Sequence, residues 1–335
     1  WILPFGMEPA ASNHPDDLVA LPTLTDGTIL EALRLRHEGR QPWTYVGTIC
    51  ISVNPFEWFP ERYAPDTMAS YHAAVDAHAD LPPHPFAVAK RALRALEATG
   101  DSQSVLVSGE SGAGKTETVK ICMRYCAFVD GERGGGRMGA TTAQVLQTNP
   151  LLEAFGNAQT IHNDNSSRFG KYIQLRYTAQ NAQAGAHIAT YLLERSRVVA
   201  QADGERNFHA LCALMATSAT EGRPQIVDEL PRASQCRYLT GGSDHAAPAA
   251  GAPAGMTRAE ADEMWEATCD AMAALGMSDG DCAAVWGAAA AVIALGEITF
   301  APAPGTDPGD GAGASPDRFA PADAGALDRA ARALC

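Results

Sequence analysis

The chain is 335 residues long, 46% hydrophobic and 19% charged, with a formal net charge of −14. That length supports one large domain or two ordinary ones, and the acid excess argues against nucleic-acid backbone or anionic membrane as a partner. Eight cysteines stand scattered with no CxxC pair, which favours reduced cytosolic thiols over a disulfide framework or a zinc site.

The opening WILPFGMEPA has neither a basic start nor a cleavage pattern, so it is not read as a signal peptide. Residues 43–53, WTYVGTICISV, are β-branched and aromatic up to the breaker NP and predict a strand. Residues 84–100 set Phe86, Ala89, Leu93 and Leu96 at helical spacing and stop on Gly100. The run SVLVSG (104–109) reads as a short buried strand. KTETVKICMRYCAFV (115–129) reads as a helix with Val119, Cys122, Met123 and Cys126 on one face.

A glycine-rich surface loop, GERGGGRMGA (131–140), follows, then a helix over 141–154, strands at 172–177 and 187–193, and a helix over 206–216. Residues 242–256 and 301–325, built from Ala, Gly, Pro and Asp, read as exposed insertions around two helices near 257–275 and 279–295. The longest uncharged run, 283–296, is shorter than the ~20 residues of a membrane span and suits a buried helix. The start at Trp1 and the stop at Cys335, inside the helical pattern LDRAARALC, are read as the ends of a fragment. Mixed strands and helices make the class α/β.

Between the run at 104–109 and the helix at 115–129 lies SGESGAGKTETV (108–119), in which Gly109, Gly114, Lys115 and Thr116 fit G-x-x-x-x-G-K-[ST]. A loop that grips phosphate must turn its N–H groups inward, and only positions without side chains let the chain curl so tightly. The lysine ammonium then reaches the β- and γ-phosphates, the threonine hydroxyl ligates Mg²⁺, and the helix dipole favours the anion. A chance match is the bland alternative; strand before and helix after weigh against it. The loop alone does not choose among kinases, GTPases, ATPases and motors.

Further on stands NDNSSRFGK (163–171), which packs amides, hydroxyls and an arginine into a loop before a strand. Alone it reads as an Asx or Ser turn with a surface arginine. Beside a phosphate loop it reads as a switch, whose serines close the Mg²⁺ shell and hold water and whose arginine pairs with a carboxylate. His162 reads as a solvated loop residue, Trp265 and Trp286 as core, and the acidic run 260–266 as a solvated helix face.

Through GESGAGKTE and NDNSSRFGK, in this order and at this separation, the chain resembles a known family, the myosin motor head. TYVGTICISVNPF (44–56), PHPFAVAKRA (83–92), QTNPLLEAFGNAQT (147–160), YLLERSRV (191–198) and ERNFHALCAL (205–214) agree with it. Kinesins also carry a switch with two serines and an arginine, but continue with serine and histidine rather than FGK. The resemblance is dense over 17–216 and thins to a YLTGG segment and helix pattern by about 300.

The resemblance implies a P-loop NTPase-type fold: a mainly parallel central sheet flanked by helices, with a helical upper subdomain, incomplete at the C-terminal end. It implies that 1–335 is the N-terminal portion of a motor domain: 1–130 nucleotide-binding, 131–143 a variable surface loop, 144–335 the first switch and part of the upper subdomain. It assigns Gly109, Glu110, Ser111, Gly112, Ala113, Gly114, Lys115, Thr116 and Glu117 to ATP, with Asn54 and Tyr63 at the adenine. Thr116 and Ser167 become the Mg²⁺ hydroxyls, Asn163 and Ser166 the contacts to phosphate and lytic water, and Arg168 the salt-bridging arginine. The implied partner is the actin filament, with light chains or calmodulin bound only through regions outside this sequence, in the cytoplasm on the cytoskeleton.

Two departures stand out. Glu57 occupies a place where many members have lysine, and the segment to Tyr63 is one residue longer. The family's second switch, Asp-x-x-Gly-Phe-Glu, is not in this sequence, so Arg168 is expected to lack its carboxylate. The chain is therefore expected to bind Mg-nucleotide weakly, without turning it over at a motor's rate. A nucleotide-sensing or interaction module without turnover is the competing reading, and an unrelated P-loop kinase a third.

Overall fold

The computed structural model describes residues 15–133, 140–219, 221–240, 256–302 and 319–334. The chain divides into two compact units, residues 1–146 with 173–187, and 147–172 with 188–335.

In the first unit, helix α1 (Asp26–Glu38) begins on a reciprocal cap: Thr25 Oγ1 accepts from the Thr28 amide and Thr28 Oγ1 from the Thr25 amide. Next come β1 (Trp43–Val46) and β2 (Ile49–Ser52), antiparallel with Trp43 opposite Ser52 and Val46 opposite Ile49. The single strand expected over 43–53 is thus a hairpin, because Gly47 at φ +56° reverses the chain where a residue with a side chain would be strained.

Helices α2 (Pro65–Ala73) and α3 (Ala77–Asp80) lead to α4 (Pro85–Thr99). The ammonium of Lys90 caps α2 by donating to the carbonyls of Tyr71 (2.7 Å), His72 (3.0 Å) and Ala74. Helix α4 buries Phe86, Ala89 and Leu93 as its spacing predicts, and ends on Gly100 at φ +73°. It packs on α5 (Lys115–Arg133), whose Ile121, Cys122, Tyr125 and Val129 meet Trp43, Tyr45 and Phe86 in one core. Burial pushes the thiols of Cys122 and Cys126 up to about 12, so both stay protonated. The surface loop expected over 131–143 begins as the last turn of α5; its centre, 134–139, lies outside the described residues, and α6 (Ala140–Gln147) follows.

In the second unit the helix expected over 141–154 breaks at Thr148, where Pro150 sits in the first turn of α7 (Asn149–Gly156). Then come β3 (Asn157–Thr160) and β4 (Asn163–Ser167), antiparallel to each other, followed by the paired β5 (Gly170–Tyr177) and β6 (Gln183–Tyr191), whose residues 173–177 and 183–187 belong to the first unit. The core is helical: α8 (His209–Ala216), α9 (Arg258–Ala274), α10 (Asp279–Gly296) and α11 (Ala324–Leu334). Trp265 and Trp286, both buried, stack at 4.3 Å between ring centroids, as core residues.

By length and composition α10 could cross a membrane. Its Trp286, Ala290 and Ile293 are buried instead in this core. Of the insertion expected over 301–325, residues 303–318 lie outside the described residues; β7 (Phe300–Pro302) and β8 (Phe319–Pro321) on either side pair antiparallel. That expected over 242–256 lies, but for Met256, outside the described residues.

Every ladder among the described residues has two strands, so the mainly parallel central sheet is not seen. Residues 104–109 run without regular secondary structure, and Leu106 is 90% exposed. The physical reason is that a strand is a collective object. SVLV has the composition for a ladder, but no neighbour among the described residues supplies the other half of its hydrogen bonds.

Candidate functional site

The phosphate-type loop of the first unit is shaped by main chain. Gly109, Gly112 and Gly114 take φ values of +156°, +81° and +89°. At Gly114 a Cβ would meet nothing within 4 Å, so the glycine is required by backbone conformation alone; at Gly109 a Cβ would come 3.2 Å from that of Ala113. The Ala113 amide donates to the Glu110 carbonyl at 3.2 Å, and the Thr118 amide to that of Gly114 at 2.9 Å, joining loop to helix.

Lys115, first residue of α5, curls its ammonium over the loop and donates to the carbonyls of Gly109 and Glu110, both at 2.7 Å. Glu117 pairs with Lys120 at 2.8 Å. Thr116 follows on the same first turn. Three glycines at positive φ and the N-terminus of α5 thus meet in one loop, over which the Lys115 ammonium is held by two main-chain carbonyls.

The NP segment reaches this loop. Asn54 Nδ2 donates to the Gly112 carbonyl at 2.7 Å, while its Oδ1 accepts the Phe56 amide at 2.9 Å. Tyr63 stacks on Trp58 at 4.1 Å and meets Trp43 edge-on at 5.9 Å. Burial raises its phenol above the ordinary range, so it stays protonated. His84, 3% exposed, lies 4.1 Å from the Trp43 ring. Its Nδ1 accepts the Phe86 amide at 3.1 Å and caps α4; burial, reinforced by Arg62, lowers its pKa to about 3. Glu57, the residue in place of a lysine, pairs with Arg40.

The second unit holds the switch-like residues on β4 and just beyond it. Expected as a loop, the segment is a strand over Asn163–Ser167, with Asn157 opposite Ser167 and Ala158 opposite Ser166. Ser166 is buried, Ser167 exposed, Asn163 half-buried and His162 exposed. An amide network backs the strand: Asn165 Oδ1 accepts from Asn157 Nδ2 at 2.8 Å and from His209 Nε2 at 3.2 Å. Asn165 Nδ2 donates to Glu153 at 3.0 Å, and the Asn165 amide to Asn163 Oδ1 at 3.0 Å.

Behind it, Phe169 fills the space over Gly156, where a Cβ would fall 2.4 Å from the ring. Lys171 donates to Asn149 Oδ1 at 3.1 Å.

Arg168 does not lack a carboxylate. Its Nε donates to Glu194 Oε2 at 2.5 Å and its Nη1 to Ser166 Oγ at 3.2 Å. The same Glu194 oxygen accepts from Arg197 Nε at 2.9 Å, and Arg197, 3% exposed, also binds Glu205 at 2.7 Å and the Arg206 carbonyl at 3.0 Å. Burial pulls the Glu194 carboxyl up, but the two guanidinium hydrogen bonds outweigh it and hold it below the usual carboxylate range.

A family model, Myosin head (motor domain), matches residues 15–318. The chain belongs to the myosin head family. It is 41% identical over 307 residues to Myosin-8 of Arabidopsis thaliana, covering 90% of this chain and 19% of that protein. It is 40% identical over 305 residues to Myosin-11 of the same plant, covering 89% and 18%, and 41% identical over 301 residues to Protein OPAQUE1 of Zea mays, covering 90% and 19%. The chain thus spans about a fifth of the length of these relatives.

Within this myosin head chain, Asn54 and the phosphate-type loop meet in one unit, and Asn163, Ser166, Ser167 and Arg168 gather in the other. Sequence reasoning passed over Glu194, Arg197, Glu205, Asn165 and His209. The available signal was the charge alternation in ERSR (194–197) beside a lone switch arginine.

Proposed function

We propose that this chain is the nucleotide-binding portion of an actin-based motor ATPase head. The observation that carries the reading is the cradle of Gly109, Gly112 and Gly114, all at positive φ, closed by Lys115 at the start of α5, in a myosin head chain.

In this reading amides of the loop 109–114, Ser111 among its residues, grip phosphate oxygens, Lys115 exchanges the Gly109 and Glu110 carbonyls for them, and Glu117 completes the first helical turn. Thr116 and Ser167 place hydroxyls for Mg²⁺, whose bound triphosphate supplies the bond to be cleaved. Asn54 and Tyr63 border the base. Asn163 and Ser166 orient phosphate and water, and Arg168 guards the switch.

Residues 1–130 form the nucleotide-binding part, 131–143 the variable loop, and 144–335 the first switch with part of the helical upper subdomain. Residues 104–109, without regular secondary structure in this chain, would become a strand only on pairing within a mainly parallel sheet of the whole head. Actin is the partner of the whole protein on the cytoskeleton, in the cytoplasm, and light chains or calmodulin bind outside this sequence.

Titration of the full chain with a fluorescent ATP analogue and Mg²⁺ gives saturable binding. Lys115→Ala weakens it about a hundredfold, the scale of two charge-assisted hydrogen bonds. Undiminished retention by folded Lys115→Ala overturns the reading.

For these 335 residues we infer binding without motor-rate hydrolysis; brisk actin-stimulated phosphate release from them refutes that.

A further inference from the structure

The switch arginine is one link of a chain that runs from the interior of the second unit to Ser166. Arg197 is the fixed end. It is 3% exposed and donates to Glu194, to Glu205 and to the Arg206 carbonyl, so its guanidinium has no freedom to swing. Glu194 is the middle link, one oxygen receiving both Arg197 Nε and Arg168 Nε. Arg168 is the outer link, and its Nη1 donates to Ser166 Oγ.

The main chain repeats the connection. The Glu194 amide donates to the Arg168 carbonyl at 2.9 Å, and the Arg168 amide to the Gly156 carbonyl at 2.9 Å. Leu192 stands at φ +54° two residues before Glu194, a conformation that costs a branched side chain energy and is kept only where the surroundings impose it. Two guanidiniums and two carboxylates cancel in formal charge, so Arg168 is held in place without an uncompensated cation behind the switch.

We propose that Glu194 is the positioning residue of the switch: anchored by Arg197, it aims Arg168 and, through it, fixes Ser166, so that this strand distinguishes a triphosphate from a diphosphate. The inference rests on the nucleotide reading above and adds a residue and a selectivity to it. Because Ser166 Oγ accepts from Arg168, its own proton is directed away from the guanidinium. Without Glu194, Arg168 regains rotamers and Ser166 loses that direction, while the phosphate-type loop of the first unit is untouched.

The experiment compares affinities of the full chain for MgATP and MgADP, in wild type, Glu194→Gln and Arg197→Lys. Glu194→Gln lowers the ATP-to-ADP affinity ratio about tenfold, the scale of one lost charged hydrogen bond, with ADP affinity within about twofold. Arg197→Lys, which cannot present a fork to Glu194, moves the ratio in the same direction. The double variant falls no further than Glu194→Gln, because both changes cut one chain.

A ratio unchanged in folded Glu194→Gln overturns the proposal, and so does an equal loss for both nucleotides, which marks a merely structural contact. In ¹⁵N-arginine spectra of the ligand-free chain, the Arg168 Nε–H is downfield and slow to exchange, and Glu194→Gln removes that signal. Its absence from wild type also overturns the proposal, independently of nucleotide. Failure of wild type to bind either nucleotide brings down the underlying reading as well.

Discussion

The phosphate-type loop and the switch strand solve placement in opposite ways. The loop is made by backbone: three glycines at positive φ set its curvature, and its one long side chain folds onto its own carbonyls. The switch is made by side chains, with Arg168, Glu194, Arg197 and Glu205 linked end to end and Asn165 tied to Asn157, Glu153 and His209. A backbone device is local and survives changes to its neighbours. A side-chain device depends on residues far along the chain and can be disconnected at any of them.

The contrast can be broken experimentally. The largest effect belongs to Lys115→Ala, with its hundredfold loss of nucleotide retention; it leaves the Arg168 Nε signal in place, because the switch has its own supports. If that signal vanishes too, the two devices are not separate.

Next comes Gly156→Ala, whose methyl group would drive into the Phe169 ring. It lowers stability by roughly 2–3 kcal/mol, the usual cost of overpacking, and is read in the urea midpoint. A neutral outcome shows that Phe169 moves freely and that packing does not hold the switch.

The smallest effect concerns acid. His84 in the first unit has a folded pKa of about 3, below its ordinary 6.5, because burial disfavours the charged ring. A depressed pKa gives stability that is complete above about 6.5 and is lost as pH falls toward 3. The share attributable to His84 at pH 5.5 is about 1.5 kcal/mol.

Burial also lowers the pKa of His209 in the second unit, with the same sign. His84→Asn, which keeps an oxygen for the Phe86 amide, therefore isolates the His84 contribution. Glu194, its pKa lowered from 4.5, loses its stabilising share only as pH falls through about 4.5, below the window tested. Thermal midpoints between pH 7.5 and 5.5 that fall equally in wild type and His84→Asn refute this assignment.

The same contrast explains what could be read from sequence. The loop was legible because glycine spacing, a lysine and a following helix are all local. Helix α4 was legible because Phe86, Ala89 and Leu93 recur at its period and Gly100 stops it. Strand β4 was not, because NDNSS lacks both alternation and β-branched residues. It is a strand by virtue of its ladder to β3 and the Asn157–Asn165 amide bond.

The Arg168 partner was missed because Glu194 lies 26 positions away, a distance that no local pattern spans. Conversely, SVLV has strand composition yet forms no ladder, since composition specifies a preference and pairing requires a neighbour.

That unpaired run has a practical corollary for anyone handling the polypeptide. Leu106, almost wholly in water beside the half-exposed Val105, presents bare amides and carbonyls together with greasy side chains, a template onto which a second molecule can zip. Yield and colloidal behaviour should therefore worsen with concentration, and a lysine at position 106 should relieve the clumping while sparing the neighbouring glycine cradle.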